Sequence, residues 1–470
     1  MFCSLTKTQT KTIYSASLEI MERTGMRFYS QEAIDLFKKA GASISDDNLV
    51  RISSQLVDKA LDTVPKQIII YDRLGAQAMT LGAQNTYFGV GSDCMNVWDI
   101  YTNKRRKALH QDLINGIRVA DYLSNIDFIM SMYIPSDIDQ QIYDRYQMQA
   151  MLLESKKPVV LINNDLQGLK DCVEMAKIVA GGLKKLEKKP FVICYANATS
   201  PTKHNKEAVE KLLYCAEHNL PIIYIPGNHW GVTSPITPAG ALALGNAGQL
   251  GALVLSQLKQ EGAPFIIGDS SGSVLDMKTM SSCYVAPDPG PFDWDMAHYY
   301  GLPAFGIGGC SNSKMFDSQA AAEAALSIFA GALSRVDLIH DVGYLDCGMN
   351  FSLELLVFCD EIIEWVKRYL RKLEITKETL PLELIEKIGV DGNFLETEHT
   401  LRHYKERWRP ELINRQSYER WNADGSLSLE KRTNKKVKEI IETYQNKQLP
   451  DSIIRQIKNI TARAKERLSN

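Results

Sequence analysis

From about residue 86 the chain alternates between two textures. Short, nearly continuous apolar runs recur, each followed by a polar or glycine-bearing loop and then by apolar positions at helical spacing. The runs are Tyr87–Val90, Ile126–Tyr133, Pro158–Ile162, Phe191–Tyr195, Pro221–Ile225, Pro264–Ile267, Pro303–Ile307 and Val336–His340. The helical patterns between and after them are Gln111–Tyr122, Asp139–Glu154, Leu169–Ala180, Asn205–His218, Pro238–Gln260, Pro291–Tyr300, Ser318–Ser334 and Ser352–Leu373. Proline opens four of the runs, a position a strand tolerates. Strict alternation of apolar strands with helices predicts a parallel sheet covered by helices. Eight such units match a TIM (β/α)8 barrel, which typically takes about 250 residues. An open doubly wound sheet is the alternative; it usually carries G-x-G-x-x-G after its first strand, and Gly89-Val90-Gly91 lacks the third glycine.

The two ends read differently. Residues 1–80 predict a helical N-terminal cap, with amphipathic segments at Ser15–Arg23, Ser30–Ala40 and Ser53–Leu61 and a strand at Lys66–Tyr71. Residues 81–374 form the barrel. Residues 375–470 predict a charged, helical C-terminal extension broken at Pro381, Pro410 and Pro450; it carries His399 and His403.

Acids and bases nearly balance, for a formal net charge of −2, so no overall basic footprint points to nucleic acid. The basic run Lys431–Lys438 reads as a solvated helix face. Apolar runs are interrupted before they reach the length of a bilayer span, and the first twenty residues lack an apolar signal core. The nine cysteines are scattered and form no CxxC pair. Reduced, mostly buried thiols in a cytoplasmic protein are expected.

In a barrel of this kind the chemistry gathers where strands run into the following loops. Those ends carry Ser92-Asp93-Cys94, Met132-Tyr133, Asn163-Asn164-Asp165, Tyr195-Ala196-Asn197, Asn228-His229-Trp230, Asp269-Ser270-Ser271, Gly308-Gly309-Cys310 and His340-Asp341 with Tyr344. Schiff-base chemistry would need a desolvated lysine, and the nearest is Lys314 in a polar loop. A metal site would have to combine His229, His340, Cys94 and Cys310 from separate strands; no strand end carries clustered ligands, so no metal is expected. Gly306-Ile307-Gly308-Gly309 could hold a phosphate or serve a tight turn. The remaining feature is aromatic: Tyr133, Tyr195, Trp230 and Tyr344, with Trp98 and Tyr101 beyond the first strand. Rings with acids and without bases at the strand ends suit a cationic ligand, each ring contributing about 0.5–2 kcal/mol when desolvated; the same rings could instead pack beneath the loops.

The stretch Tyr87–Asp93 with Asp99-Ile100-Tyr101-Thr102, Lys157-Pro158, Asp317–Glu323, Ala330–Gly348, and Phe394-Leu395 with His399-Thr400-Leu401-Arg402-His403 together resemble the trimethylamine methyltransferase family. The resemblance covers nearly the whole chain. It implies a TIM barrel and transfer of a methyl group from an amine to cob(I)alamin held by a separate small corrinoid protein. The trimethylamine enzymes carry pyrrolysine inside the barrel, whereas this sequence has only standard residues. The chain therefore resembles the non-pyrrolysine relatives that demethylate quaternary amines: glycine betaine, proline betaine, carnitine or butyrobetaine.

The expected substrate site is Asp93, Tyr101, Tyr133, Tyr195, Asn197, His229, Trp230, Asp269, His340 and Tyr344, acting by positioning without a dedicated catalytic acid or base. His229, His340 and Asn197 would donate to a substrate carboxylate. The chain contains no Asp-x-His-x-x-Gly cobalamin signature, so the corrinoid is expected on its partner, docked against the helical ends. A homo-oligomer is also expected. Competing readings are a barrel that binds betaines without turning them over and a barrel enzyme for a phosphate-bearing ligand.

Overall fold

The computed structural model describes residues 4–45, 48–269, 272–286, 292–446 and 448–469. Ser270 and Ser271, two of the expected strand-end residues, lie outside them. The protein is a mixed α/β fold built on parallel strands. Val192–Ala198 pairs with Val159–Leu161 on one side and Ile222–Pro226 on the other, and Ile222–Pro226 pairs with Phe265–Ile267. Phe305–Ile307 pairs with Leu338–His340, which pairs with Tyr87–Phe88. Single parallel bridges join Ile267 to Ala304, Gly89 to Phe128 and Ile129 to Val159.

These segments are strands because both of their faces are covered. Every residue of Val159–Leu161, Phe265–Ile267 and Leu338–His340 is buried. The opening prolines lie just outside the ladders and contribute only their carbonyls: Pro158, Pro221 and Pro303 accept from the N–H groups of Ile129, Cys194 and Ile267. The run expected at Ile126–Tyr133 survives only as three single bridges, at Phe128, Ile129 and Tyr133, and it is interrupted where Met132 takes a left-handed backbone with φ of 53°.

The covering helices follow the sequence pattern closely: Leu166–Ala180, Lys206–Glu217, Pro238–Lys259, Ser318–Ser334 and Leu353–Tyr369. Asp165, Asp317 and Ser352 cap three of them through their side chains. Such a cap is typically worth about 1 kcal/mol. Helix Pro238–Lys259 is apolar on all sides and long enough to span a bilayer, yet most of it is buried inside the protein. Its small residues allow close approach. A Cβ on Gly248 would meet the Pro201 carbonyl oxygen at 2.7 Å, and one on Gly251 would run into Met26.

The N-terminal block contains strands as well as helices. Met26–Phe28 lies between Leu49–Arg51 and Lys203–His204, so this small sheet takes one strand from the loop after Val192–Ala198. Phe28 stacks on His204 with ring centroids 4.3 Å apart. At the other end, helix Leu429–Thr443 packs on Leu353–Tyr369, and Asp451–Ser469 packs on Leu166–Ala180 and Tyr143–Glu154. Between residues 371 and 409 no side chain is buried.

Candidate active site at the strand ends

Three adjacent strand ends turn through left-handed backbone at residues other than glycine: Asp93 (φ 62°), Met132 (φ 53°) and Asp341 (φ 69°). Such conformations cost about 1–3 kcal/mol each and gather at functional sites. Asp93 is fixed by two donors, Ser131 Oγ at 2.8 Å and Gln147 Nε2 at 3.1 Å. Gln147 Nε2 also donates to the Tyr133 carbonyl at 2.8 Å, tying the first two strand ends together. Burial pushes the Asp93 carboxyl up, and the two hydrogen bonds oppose that rise.

Asp341 is the hub of the opposite side. Tyr284 Oη donates to its Oδ2 at 3.0 Å, and His340 Nδ1 lies 2.8 Å from its Oδ1. The His340 ring stacks on Phe305 with centroids 4.1 Å apart. Gly91 makes room for this group, since a Cβ there would collide with the Asp341 carboxylate and the Tyr344 ring. Two hairpin-like pairs continue outward. Asn350–Phe351 joins Tyr344–Leu345 to Asn96–Asp99, which pairs with Lys104–Lys107. Tyr133 and Tyr344 both set their rings edge-on against Phe351, at 5.3 and 5.5 Å.

The electrostatics of the cluster converge on Tyr195. Its hydroxyl is pushed well above the ordinary phenol range, first by burial and then by the negative charges of Asp341, Asp93 and Asp269. Burial and Asp341 raise Tyr284 in the same way, and burial, Cys94 and Asp341 raise Tyr344. Three carboxylates and several phenol rings therefore act on one region. The cation felt by Asp93, Lys211, is buried and spends its ammonium on the Asn163 carbonyl at 2.8 Å.

These contacts bring Asp93, His340 and Tyr344 together, with Tyr133 fully buried beside them, and Tyr195 sets its ring 6.0 Å from Phe305, on which His340 stacks. Asp269 is held to its own loop by the Gly272 N–H. Asn197 is exposed and accepts from Tyr195 Oη at 3.3 Å. His229 is exposed on a turn held by Thr233 Oγ1, and Trp230 next to it is buried. Tyr101 is 65% exposed at the outer hairpin, where Lys438 Nζ lies 5.3 Å from its ring centroid. A cation of this chain thus already lies over one face of the ring.

Four residues of the cluster were not singled out from the sequence as substrate-binding: Ser131, Gln147, Tyr284 and Asp341. Asp341 stood among the strand-end residues and is central. Tyr284 comes from the long, non-periodic loop after Phe265–Ile267, where nothing in the pattern marks it.

The other chemistries find little support in the geometry. Lys314 has a 70% exposed side chain and pairs with Asp346 at 2.8 Å. Cys94 donates its thiol to the Gly348 carbonyl, and burial pushes both Cys94 and Cys310 well up, holding them as neutral thiols. The glycines of Gly306–Gly309 serve packing. A Cβ on Gly306 would meet the Trp294 side chain at 2.6 Å, one on Gly308 would meet Ile339, and the Gly309 N–H is committed to Ser327 Oγ.

The family model described as trimethylamine methyltransferase (MTTB) matches residues 2–469. The chain is 30% identical to a trimethylamine methyltransferase of Desulfitobacterium hafniense, over 95% of this chain and 91% of that protein. It is 26% identical to a glycine betaine methyltransferase of the same species, over 94% and 92%. It is 27% identical to a trimethylamine methyltransferase of Methanosarcina thermophila, over 96% and 95%. Among solved structures, a Plasmodium falciparum HPPK-DHPS aligns over 69% of this chain and 54% of that one at 9% identity and a TM-score of 0.41.

Proposed function

The chain belongs to the trimethylamine methyltransferase family, and from that premise we propose that it moves one methyl group from a quaternary ammonium carboxylate to a corrinoid carried by a separate small protein. The observation that carries this reading is the meeting of the Asp93 and Asp341 carboxylates with the rings of Tyr133, Tyr284 and Tyr344 at neighbouring strand ends. Excess negative charge beside aromatic faces is an environment for a fixed positive charge. A sequence of standard residues also offers no pyrrolysine for a free methylamine, and one relative is named for a betaine.

The parallel ladders and bridges support reading residues 81–374 as a closed (β/α)8 barrel, with residues 1–80 and 375–470 as extensions. The substrate then sits at the mouth. The carboxylates hold the ammonium and the rings shield it from water. Exposed His229 and Asn197 are placed to meet the substrate carboxylate. As the carbon–nitrogen bond breaks, its electron pair stays on nitrogen and the product leaves as a neutral tertiary amine. No proton has to move, so the chain's task is alignment and exclusion of water. The corrinoid, brought by its carrier, supplies the nucleophile that takes the methyl group.

An apolar rim suits that carrier. Met95, Met349, Val232, Ile236, Met277 and Met280 are all more than 40% exposed on the loops around the strand ends. Methionine-rich surfaces favour protein partners. We favour this rim over the helical ends as the docking face, because the methyl group must be handed over at the mouth. A cytoplasmic setting is favoured by eight free cysteines among the described residues, and a homo-oligomer by the exposed apolar side chains of residues 373–401.

The test mixes the enzyme, cob(I)alamin and each amine, and follows methylcobalamin by absorbance. Methylation from a betaine or carnitine-like compound is expected. Methylation from trimethylamine alone would overturn the reading. Trp230→Ala and Tyr344→Ala should each weaken substrate binding by about 1–2 kcal/mol, roughly tenfold, with the Phe variants milder.

A further inference from the structure

Far along the chain from the strand ends, the C-terminal extension brings together two imidazoles and a carboxylate. His399 and His403 are four residues apart on helix Glu398–His403, the spacing that places both on one helical face. Glu378 reaches them from the turn before helix Leu382–Ile388, and one ligand atom from each of the three lies within 4.8 Å of the others. His403 Nε2 is 3.0 Å from Glu378 Oε1, and the two rings sit 4.4 Å apart at a tilt of 43°. We propose that Glu378, His399 and His403 form a zinc-binding site that clips the loop carrying Glu378 onto this helix.

Two further features support a metal over a plain hydrogen-bonded cluster. First, His403 Nδ1 lies 2.7 Å from Glu406 Oε1. A carboxylate on the far ring nitrogen is the arrangement that orients a metal-ligating histidine and fixes its tautomer. Second, the surrounding stretch lacks a core, since no side chain from 371 to 409 is buried. Segments that cannot bury apolar surface are commonly held by a metal or a disulfide. Two histidines and one carboxylate leave a fourth tetrahedral position for water, a donor set that zinc accepts. Arg402 also reaches Glu378 Oε1, at 3.0 Å, so the second carboxylate oxygen is the better-placed ligand. The nearest fixed point is the end of helix Leu353–Tyr369, where Trp365 packs on Trp408 and Arg368 donates to the Glu406 carbonyl.

The experiment uses the full chain, stripped with chelator and titrated with Zn2+, then with Co2+ for its visible absorption. About one metal ion per chain is expected, with the intense Co2+ bands of a tetrahedral site. His399→Ala and His403→Ala should abolish uptake, while His229→Ala and His340→Ala retain it. Glu406→Gln should weaken affinity about 10- to 100-fold. Zinc should also slow tryptic cleavage after Lys377, Lys387 and Lys405. The proposal is overturned if the folded wild-type chain takes up no metal. It is equally overturned if uptake survives in both His399→Ala and His403→Ala, or is lost instead in His229→Ala or His340→Ala. Circular dichroism distinguishes loss of metal from loss of fold.

Discussion

The strand-end cluster and the stretch 371–409 both present histidines, carboxylates and aromatic rings, yet they are held in opposite ways. At the strand ends Tyr133, Tyr344 and Phe351 are nearly or fully buried, and the carboxylates of Asp93 and Asp341 accept bonds from residues far away in sequence. In the other stretch Val390 is 99% exposed and Leu395 is 80% exposed, and most hydrogen bonds there are local. The first region owes its geometry to packing and tolerates a polar, charge-rich surface because a rigid wall holds it. The second has short helices, Leu382–Ile388 and Glu398–His403, that would not persist alone. At the strand ends packing supplies the support; in the second stretch the metal proposed at Glu378, His399 and His403 would supply what packing does not.

The contrast can be broken most severely at Phe351, against which both Tyr133 and Tyr344 rest. Phe351→Ala should destabilise the protein by about 3–5 kcal/mol in urea unfolding and impair substrate binding at once. A loss below 1 kcal/mol would mean that the rings are not held by packing.

A second test uses pH at the base of the same wall. Asp337 lies just before strand Leu338–His340, buried, and accepts from the N–H groups of Ala304 and Gly82. Burial outweighs these bonds and pushes its carboxyl from 3.8 up to about 6. The unfolded chain therefore ionises first as pH rises. This group costs nothing below 3.8, its penalty grows through the interval, and above 6 it reaches about 3 kcal/mol. Asp337→Asn should remove that slope from the stability of the wild type between pH 4 and 6.5. An identical pH dependence in the two proteins would show that the carboxyl is better compensated than its surroundings indicate.

The smallest effect is expected in the exposed stretch. Val390→Ala and Leu395→Ala should change unfolding stability by less than about 0.5 kcal/mol. A larger change would show that these side chains are covered in solution, as a homo-oligomer would cover them, and the apparent stability should then depend on protein concentration.

The periodic parts of the fold were legible. Ser318–Ser334 is a helix over the range its pattern predicts, because an N-cap aspartate and an alanine-rich face act locally. The strand runs are legible for a related reason, since burial on both faces leaves a continuous apolar signature. The surroundings of the strand ends are less so. Lys104–Lys107 is a strand of four basic residues, a pairing imposed by Asn96–Asp99 and not by its own composition. Asp93, Asp269 and His340 could be found because a strand end is a position in the sequence. That Asp341 faces Tyr284 follows only from its φ of 69° and from a loop path that has no period. Tyr101 shows the converse: its ring suits a cation, but the neighbouring helix supplies one.

One pairing has a consequence for the birth of the protein. Tyr87–Phe88 lies beside Leu338–His340, its partner roughly 250 residues later. At about 5–20 residues per second on the ribosome, the early strand waits on the order of 13–50 s with that edge unpaired. The nascent chain therefore carries an open, apolar strand through most of its synthesis, and its yield in a cell should depend on chaperone capacity far more than its final stability would suggest.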